Sequence, residues 1–173
     1  SIPNKPILLY VGRVDPEKNL DEVLHAVALA VLKIDFYFII VGKGIEKTTL
    51  EHLAEELGIA NRVIFTGFIP EEDLPYFYKL SRCFIIASIA ELLSLATLQA
   101  MASGLPILAV NAGALGELVQ DGINGYLFKS GDIYTIAQYI CDIVPKDDLD
   151  WKMSEKSLNK FRKHDIKNTR EWL

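Results

Sequence analysis

Apolar and polar residues fall in alternating blocks along the chain. Six short runs, at 6–12, 36–41, 62–65, 83–87, 106–110 and 125–128, are rich in Ile, Val, Leu, Phe, Tyr and Ala. Nearly continuous apolar runs of this length read as strands buried on both faces. Between them the stretches 20–32, 46–57, 71–79, 95–103, 115–120 and 133–144 carry their apolar residues at helical spacing. Leu20, Val23, Leu24, Val27 and Val31, for example, line one face of a helix. Gly58 and Gly104 follow two of these stretches, where a helix end favours a left-handed residue. Strands and helices that alternate at this length predict an α/β, Rossmann-like parallel sheet of about six strands with helices on both faces. The pattern changes after Pro145, where two more polar amphipathic helices are expected at 149–161 and 166–173. The chain therefore divides into a body, 1–145, and a helical tail, 146–173.

Composition narrows the class. At 173 residues the chain is one compact domain or a piece of a larger protein. Half of it is apolar and 24% charged, enough for a full core and against global disorder. The apolar runs are too short to cross a bilayer, and no charged segment followed by an apolar stretch and a cleavage site opens the sequence. A cytoplasmic protein is expected. The body holds 10 Lys and Arg against 17 Asp and Glu, which argues against a nucleic-acid groove. The tail holds 8 against 6 and reads as a solvated or partner-docking helical face. Its mixed charge weakens any attraction to anionic lipid. Cys83 and Cys141 lack CxxC spacing and the three histidines are scattered, so no metal site is expected.

In an open parallel sheet, ligands bind outside the carboxyl ends of the strands, so the loops there carry the candidate chemistry. Gly42-Lys43-Gly44-Ile45-Glu46-Lys47-Thr48 imitates a phosphate loop but has Val41 and Glu46 where that motif needs glycine. It also lacks the third glycine of a dinucleotide fingerprint, so a tight turn after a strand is the better reading. Two other loops offer more. Gly12 leaves the first strand, and Arg13 and Lys18 follow it in a loop that turns into a helix. Both cations can converge on one anion, or else pair with Asp15 and Glu17 in solvent. After the fourth strand Glu91 stands in a short loop, Ser94 is placed to cap a helix, and Gln99 falls in that helix's second turn. The helix start offers free N–H groups to an anion. Glu91 and Gln99 could hold hydroxyls while Arg13, Lys18 and the helix end hold phosphates, a set that suits a nucleotide sugar.

The stretch 5–144 resembles the C-terminal, donor-binding half of the group 1 retaining glycosyltransferases, whose fold is the two-domain GT-B type. The residues that carry the resemblance are Tyr10-Val11-Gly12-Arg13 with Glu17-Lys18-Asn19, Val41-Gly42-Lys43-Gly44, the run from Val63 to Phe68, the block from Ala90 to Pro106, and Gly113 to Glu117 with Asp121 to Leu127. The resemblance implies catalytic roles for Arg13, Lys18 and Glu91, the two cations on the donor diphosphate and Glu91 beside the donor sugar. It implies donor-binding roles for Gly12, Gly42, Phe68, Leu93, Ser94, Leu95 and Gln99, with the segment after Gly67 meeting the base largely through backbone. It also implies transfer without a metal or cofactor, a nucleotide-sugar donor with UDP favoured, and a missing N-terminal half, so that this chain alone does not turn over. In such proteins the tail crosses back to the partner half, which predicts fast amide exchange near Phe161, Trp172 and Leu173; peripheral membrane contact is a further expectation for the full-length protein. Two departures stand out. Gln99 occupies the place of the family's second Glu, and Leu92 and Leu93 replace small or polar residues after the first. The alternatives are a non-catalytic sugar-nucleotide-binding domain, or a sugar-nucleotide epimerase or phosphorylase on the same fold.

Overall fold

The computed structural model describes residues 1–145 and 147–171, with side chains placed for 1–145 and 152–164. Six strands form one sheet: β1 (Ile7–Val11), β2 (Tyr37–Val41), β3 (Val63–Gly67), β4 (Cys83–Ile86), β5 (Ile107–Val110) and β6 (Gly125–Phe128). They lie in the order β3-β2-β1-β4-β5-β6, and every pairing is parallel. Each strand coincides with a predicted apolar run to within two residues. Leu8, Leu9, Ile39, Phe38, Phe84, Ile85 and Leu108 are buried, because helices cover the sheet on both faces.

The helices are α1 (Leu20–Ala30), α2 (Lys47–Glu56), α3 (Leu74–Leu80), α4 (Leu95–Ala102), α5 (Leu115–Leu118), α6 (Ile133–Ile143) and α7 (Asp147–Glu171). Right-handed crossovers put α1 and α2 on one face and α3, α4 and α5 on the other. The chain leaves β6 into α6, which packs beside α1, and α7 then packs on α4. The strand order reverses direction at β1, between β2 and β4. That reversal opens a crevice at the carboxyl ends of β1 and β4, and it is where an open α/β sheet holds a ligand.

Two predicted helices differ. Residues 71–73 form a 3₁₀ turn, and α3 begins only at Leu74, with Pro75 in its first turn. The tail is one helix rather than two, since no Gly or Pro interrupts 147–171. Over its described side chains this helix packs onto the body. Met153 and Ser157 are buried, the Ser157 hydroxyl donates to the Asn124 carbonyl at 3.2 Å, Leu158 lies against Gly104, and Phe161 packs at the edge of the core. Slow exchange is therefore expected near Phe161, contrary to the prediction from sequence. Trp172 and Leu173 lie outside the described residues.

Candidate functional site

Glycines let the loops after β1, β2 and β3 meet beside the switch point. Gly42 has a φ of 136°, and a Cβ there would stand 1.8 Å from the Gly12 carbonyl oxygen, so the loops after β1 and β2 touch backbone to backbone. The Gly12 N–H donates to the Val41 carbonyl at 2.9 Å and the Gly42 N–H to the Gly67 carbonyl at 2.9 Å. The glycine-rich stretch after β2 thus packs its backbone against the loops after β1 and β3. Beside it opens a cavity of about 300 Å³ lined by Gly12, Arg13, Gly42, Lys43, Phe68 and Ile69 together with Val11, Val41 and Leu74. Phe68 is exposed and Lys43 lies over its ring at 5.7 Å from the centroid, within cation–π range. An apolar slot with a cation at its rim suits a flat, partly polar ring.

Charge gathers on the β4 side. The Lys18 ammonium and Glu91 Oε1 are 2.7 Å apart, with side chains only 20% and 13% exposed. This contact joins the loop after β1 to the loop after β4, across 73 residues of sequence. Asn19 braces the same junction. It takes a left-handed conformation (φ 50°) at the start of α1, and its amide donates to the Ala87 carbonyl at 3.1 Å. Glu91 is held by its backbone as well, its carbonyl accepting from Ala114 N–H at 3.2 Å, and a Cβ on Gly113 would come within 2.8 Å of that oxygen.

Arg13 behaves differently. Its Nε donates to Asp15 Oδ2 at 2.6 Å while the side chain stays 62% exposed. The two cations are therefore separately paired, Arg13 with Asp15 and Lys18 with Glu91. Arg13 takes its neighbour Asp15, whereas Lys18 passes over Glu17 for a partner in the loop after β4. The pairing holds the Asp15 carboxyl below the usual range, first through Arg13 and then through the Ile45 N–H, and raises the Arg13 value.

Helix α4 starts as predicted. Ser94 is buried, and its hydroxyl oxygen accepts from Thr97 N–H at 3.2 Å and lies 2.6 Å from Thr97 Oγ1. That hydroxyl is committed to the cap, so what α4 offers a ligand is backbone N–H. Leu93 and Leu95 are exposed, as are Ile89 and Leu92. Gln99 is exposed on the second turn, and its Oε1 accepts from the Tyr78 hydroxyl at 3.1 Å. Burial pushes the Tyr78 phenol well up, so it remains a neutral proton donor.

Five participants were missed in the sequence. Tyr10 and Tyr78 are almost fully buried; in the sequence Tyr10 and Asn19 stand only as parts of a motif, Tyr78 lies within a helical stretch, Asp15 reads as a counter-ion, and Lys43 as part of a failed phosphate loop. The Tyr10 hydroxyl donates to the Arg13 carbonyl at 2.7 Å, and burial, then the charges of Glu91, Asp15 and Glu17, keep it protonated. Only Asn19 carried a signal, an Asn directly before a helix. Among the described residues no group of three or more His, Cys, Asp or Glu is placed to hold a metal ion, and no helix is long and apolar enough to cross a membrane.

The family model for "Glycosyl transferases group 1" matches residues 1–160. N-acetyl-alpha-D-glucosaminyl L-malate synthase of Bacillus anthracis is 28% identical over 154 residues, 89% of this chain and 40% of that protein. The crystallised C-terminal domain of a group 1 glycosyl transferase (LpcC) from Francisella tularensis superposes with a TM-score of 0.84 at 25% identity, covering 94% of this chain and 87% of that one. A mutant of S. aureus TarM, solved with fondaparinux, alpha-GlcNAc-glycerol and UDP, reaches a TM-score of 0.87 over 94% of this chain and 34% of that one, at 22% identity, a likeness of fold. The chain spans less than half the length of the curated relatives it matches.

Proposed function

Because the chain belongs to the group 1 glycosyltransferases, we propose that its switch-point crevice binds a nucleoside diphosphate sugar for a retaining transfer completed by an N-terminal half. The observation that carries this reading is the Lys18–Glu91 pair at the carboxyl ends of β1 and β4, next to the cavity lined by Gly12, Gly42 and Phe68. The cavity takes the base. The diphosphate runs past Lys18, Arg13 and the N–H groups at the start of α4. Glu91 faces the sugar, and Gln99 the ribose.

The chemistry asked of these residues is electrostatic. As the glycosidic bond to the diphosphate breaks, negative charge grows on the leaving phosphate, and fixed cations aimed at it stabilise that charge. An ammonium has N–H donors to spare after meeting Glu91, so Lys18 can serve the carboxylate and a phosphate together. Arg13 meets Asp15 through Nε, and its terminal NH₂ donors serve the phosphate. These cations do the work of neutralisation without a metal. UDP is the favoured nucleotide: it is the commoner donor of the family, and it is the one seen with the TarM fold. The chain alone does not turn over, and it acts in the cytoplasm, with peripheral membrane contact through the full-length protein. Of the tail 146–173, the part beyond Phe161 docks on the N-terminal half.

Calorimetry of this chain against UDP, GDP, ADP and their glucose and mannose derivatives, in excess EDTA, tests the reading. One nucleoside diphosphate should bind, and Arg13→Ala should weaken it at least about tenfold, about 1.4 kcal/mol. Equal affinity for variant and parent would remove the phosphate role of Arg13.

A further inference from the structure

Asp15 sits against the site without lining it, and its surroundings are built with care. Both carboxylate oxygens are engaged: Oδ2 accepts from Arg13 Nε at 2.6 Å and Oδ1 from the Ile45 N–H at 3.1 Å. The backbone beside it is equally fixed. Val14 is buried, its N–H donates to the Lys43 carbonyl at 3.0 Å, and its carbonyl accepts from the Glu46 N–H at 2.9 Å. The loop after β2 thus grips residues 14 and 15 at three points. Gly44 makes that grip possible, since a Cβ there would stand 2.1 Å from the Val14 oxygen and 2.5 Å from Asp15 Oδ1. On the other side, the Tyr10 hydroxyl ties down the Arg13 carbonyl.

We propose that Asp15 is a positioning residue for Arg13, an anchored carboxylate that fixes the guanidinium through Nε and leaves both terminal NH₂ groups turned to the diphosphate. The inference rests on the donor-binding reading of the crevice. An unanchored arginine at 62% exposure would sample many rotamers and lose that freedom on binding. Asp15 removes much of the loss beforehand, because it is itself held by Ile45 and is largely buried at 13% exposure. The choice of Nε matters, since a fork held at that edge still presents donors to a second anion. The same arrangement gives the Gly42-Lys43-Gly44 stretch a role as the seat of Asp15, although it is no phosphate loop. A counter-ion that merely neutralised Arg13 would compete with phosphate and lower affinity; an anchor raises it. The two ideas predict opposite signs.

The test is titration of UDP and of uridine into the parent chain, Asp15→Ala, Arg13→Ala and the double variant, with thermal melts as a control of folding. Asp15→Ala should weaken UDP about fivefold, leave uridine unchanged, and add nothing once Arg13 is already Ala. If Asp15→Ala does not fold, Asp15→Asn takes its place, being nearly isosteric, with the same selective loss expected. Tighter or equal UDP binding, or an equal loss for uridine, overturns the inference while a weakened Arg13→Ala leaves the reading of the crevice intact. If Arg13→Ala itself binds UDP like the parent, the phosphate role falls and the inference falls with it.

Discussion

Replacing Glu91 by Gln separates stability from binding. The change keeps size and shape but leaves the Lys18 ammonium, 2.7 Å away and 20% exposed, without its counter-charge. Exposed ion pairs contribute about 0.2–1 kcal/mol, and removing one partner of a fully buried pair costs about 3–5 kcal/mol. This pair lies between those limits, and Gln still offers a carbonyl oxygen to the ammonium, so a loss of about 1–2 kcal/mol is expected. In a chain of this length each kcal/mol moves the melting temperature by about 2–4 °C. Nucleotide binding should move the other way. A phosphate that shares Lys18 with Glu91 would sit about 6 Å from the carboxylate; at an effective dielectric of about 40 the repulsion is about 1.4 kcal/mol per unit charge before screening. With salt present, UDP should bind about fivefold tighter, and the gain should shrink as ionic strength rises. Calorimetry and thermal melts on the same samples read both quantities. A variant that is less stable and also binds UDP more weakly, at every salt concentration, refutes the reasoning, because Lys18 would then not be shared between Glu91 and phosphate.

Three further outcomes follow from named contacts. Gln99→Glu retains an acceptor for the Tyr78 hydroxyl and adds charge for ribose hydroxyls, so UDP should bind about threefold tighter while 2′,3′-dideoxy-UDP shows no gain; an equal response of both nucleotides would place residue 99 away from the ribose. Gly42→Ala forces a Cβ to 1.8 Å from the Gly12 carbonyl and strains a φ of 136°, and chemical denaturation should show a loss of several kcal/mol, above about 3; a loss below about 1 kcal/mol would mean that the two loops separate freely. Asp15 and Asp35 are both held below the ordinary carboxyl range, Asp15 chiefly by Arg13 and Asp35 chiefly by Lys5. A depressed folded-state value contributes stability above the unfolded value near 4, and that contribution is lost as pH falls through the lower folded value. The melting temperature should therefore fall below about pH 4, and Asp35→Asn should flatten the fall; an unchanged profile in the variant would remove Asp35 from the account.

The sheet was readable because strands buried on both faces have no polar alternation to confuse, as in Leu8-Leu9-Tyr10 or Phe84-Ile85-Ile86. The capping of α4 by Ser94 was readable for a local reason, a short polar side chain one residue before the helix. The joining of α7 into a single helix was missed because its amphipathic pattern weakens between Phe161 and Ile166, while the absence of Gly and Pro decided the backbone. Pairings in the site were harder. Lys18 has Glu17 beside it in sequence, yet its partner is Glu91, and only the adjacency of β1 and β4 makes that so. Tyr10 and Tyr78 share the apolar pattern of their elements, so their hydroxyl contacts to Arg13 and Gln99 leave no trace in composition. Ser94 was singled out correctly as a cap, but its hydroxyl is consumed by Thr97.

Amide chemical shifts recorded during a UDP titration in excess EDTA test the donor-site assignment most directly. The largest changes should fall on Gly12, Arg13, Lys18, Phe68, Leu95 and Gln99, saturating with one dissociation constant, and magnesium should leave them unaltered. Shifts confined to the face where α6 packs beside α1, or none at millimolar UDP, would contradict it.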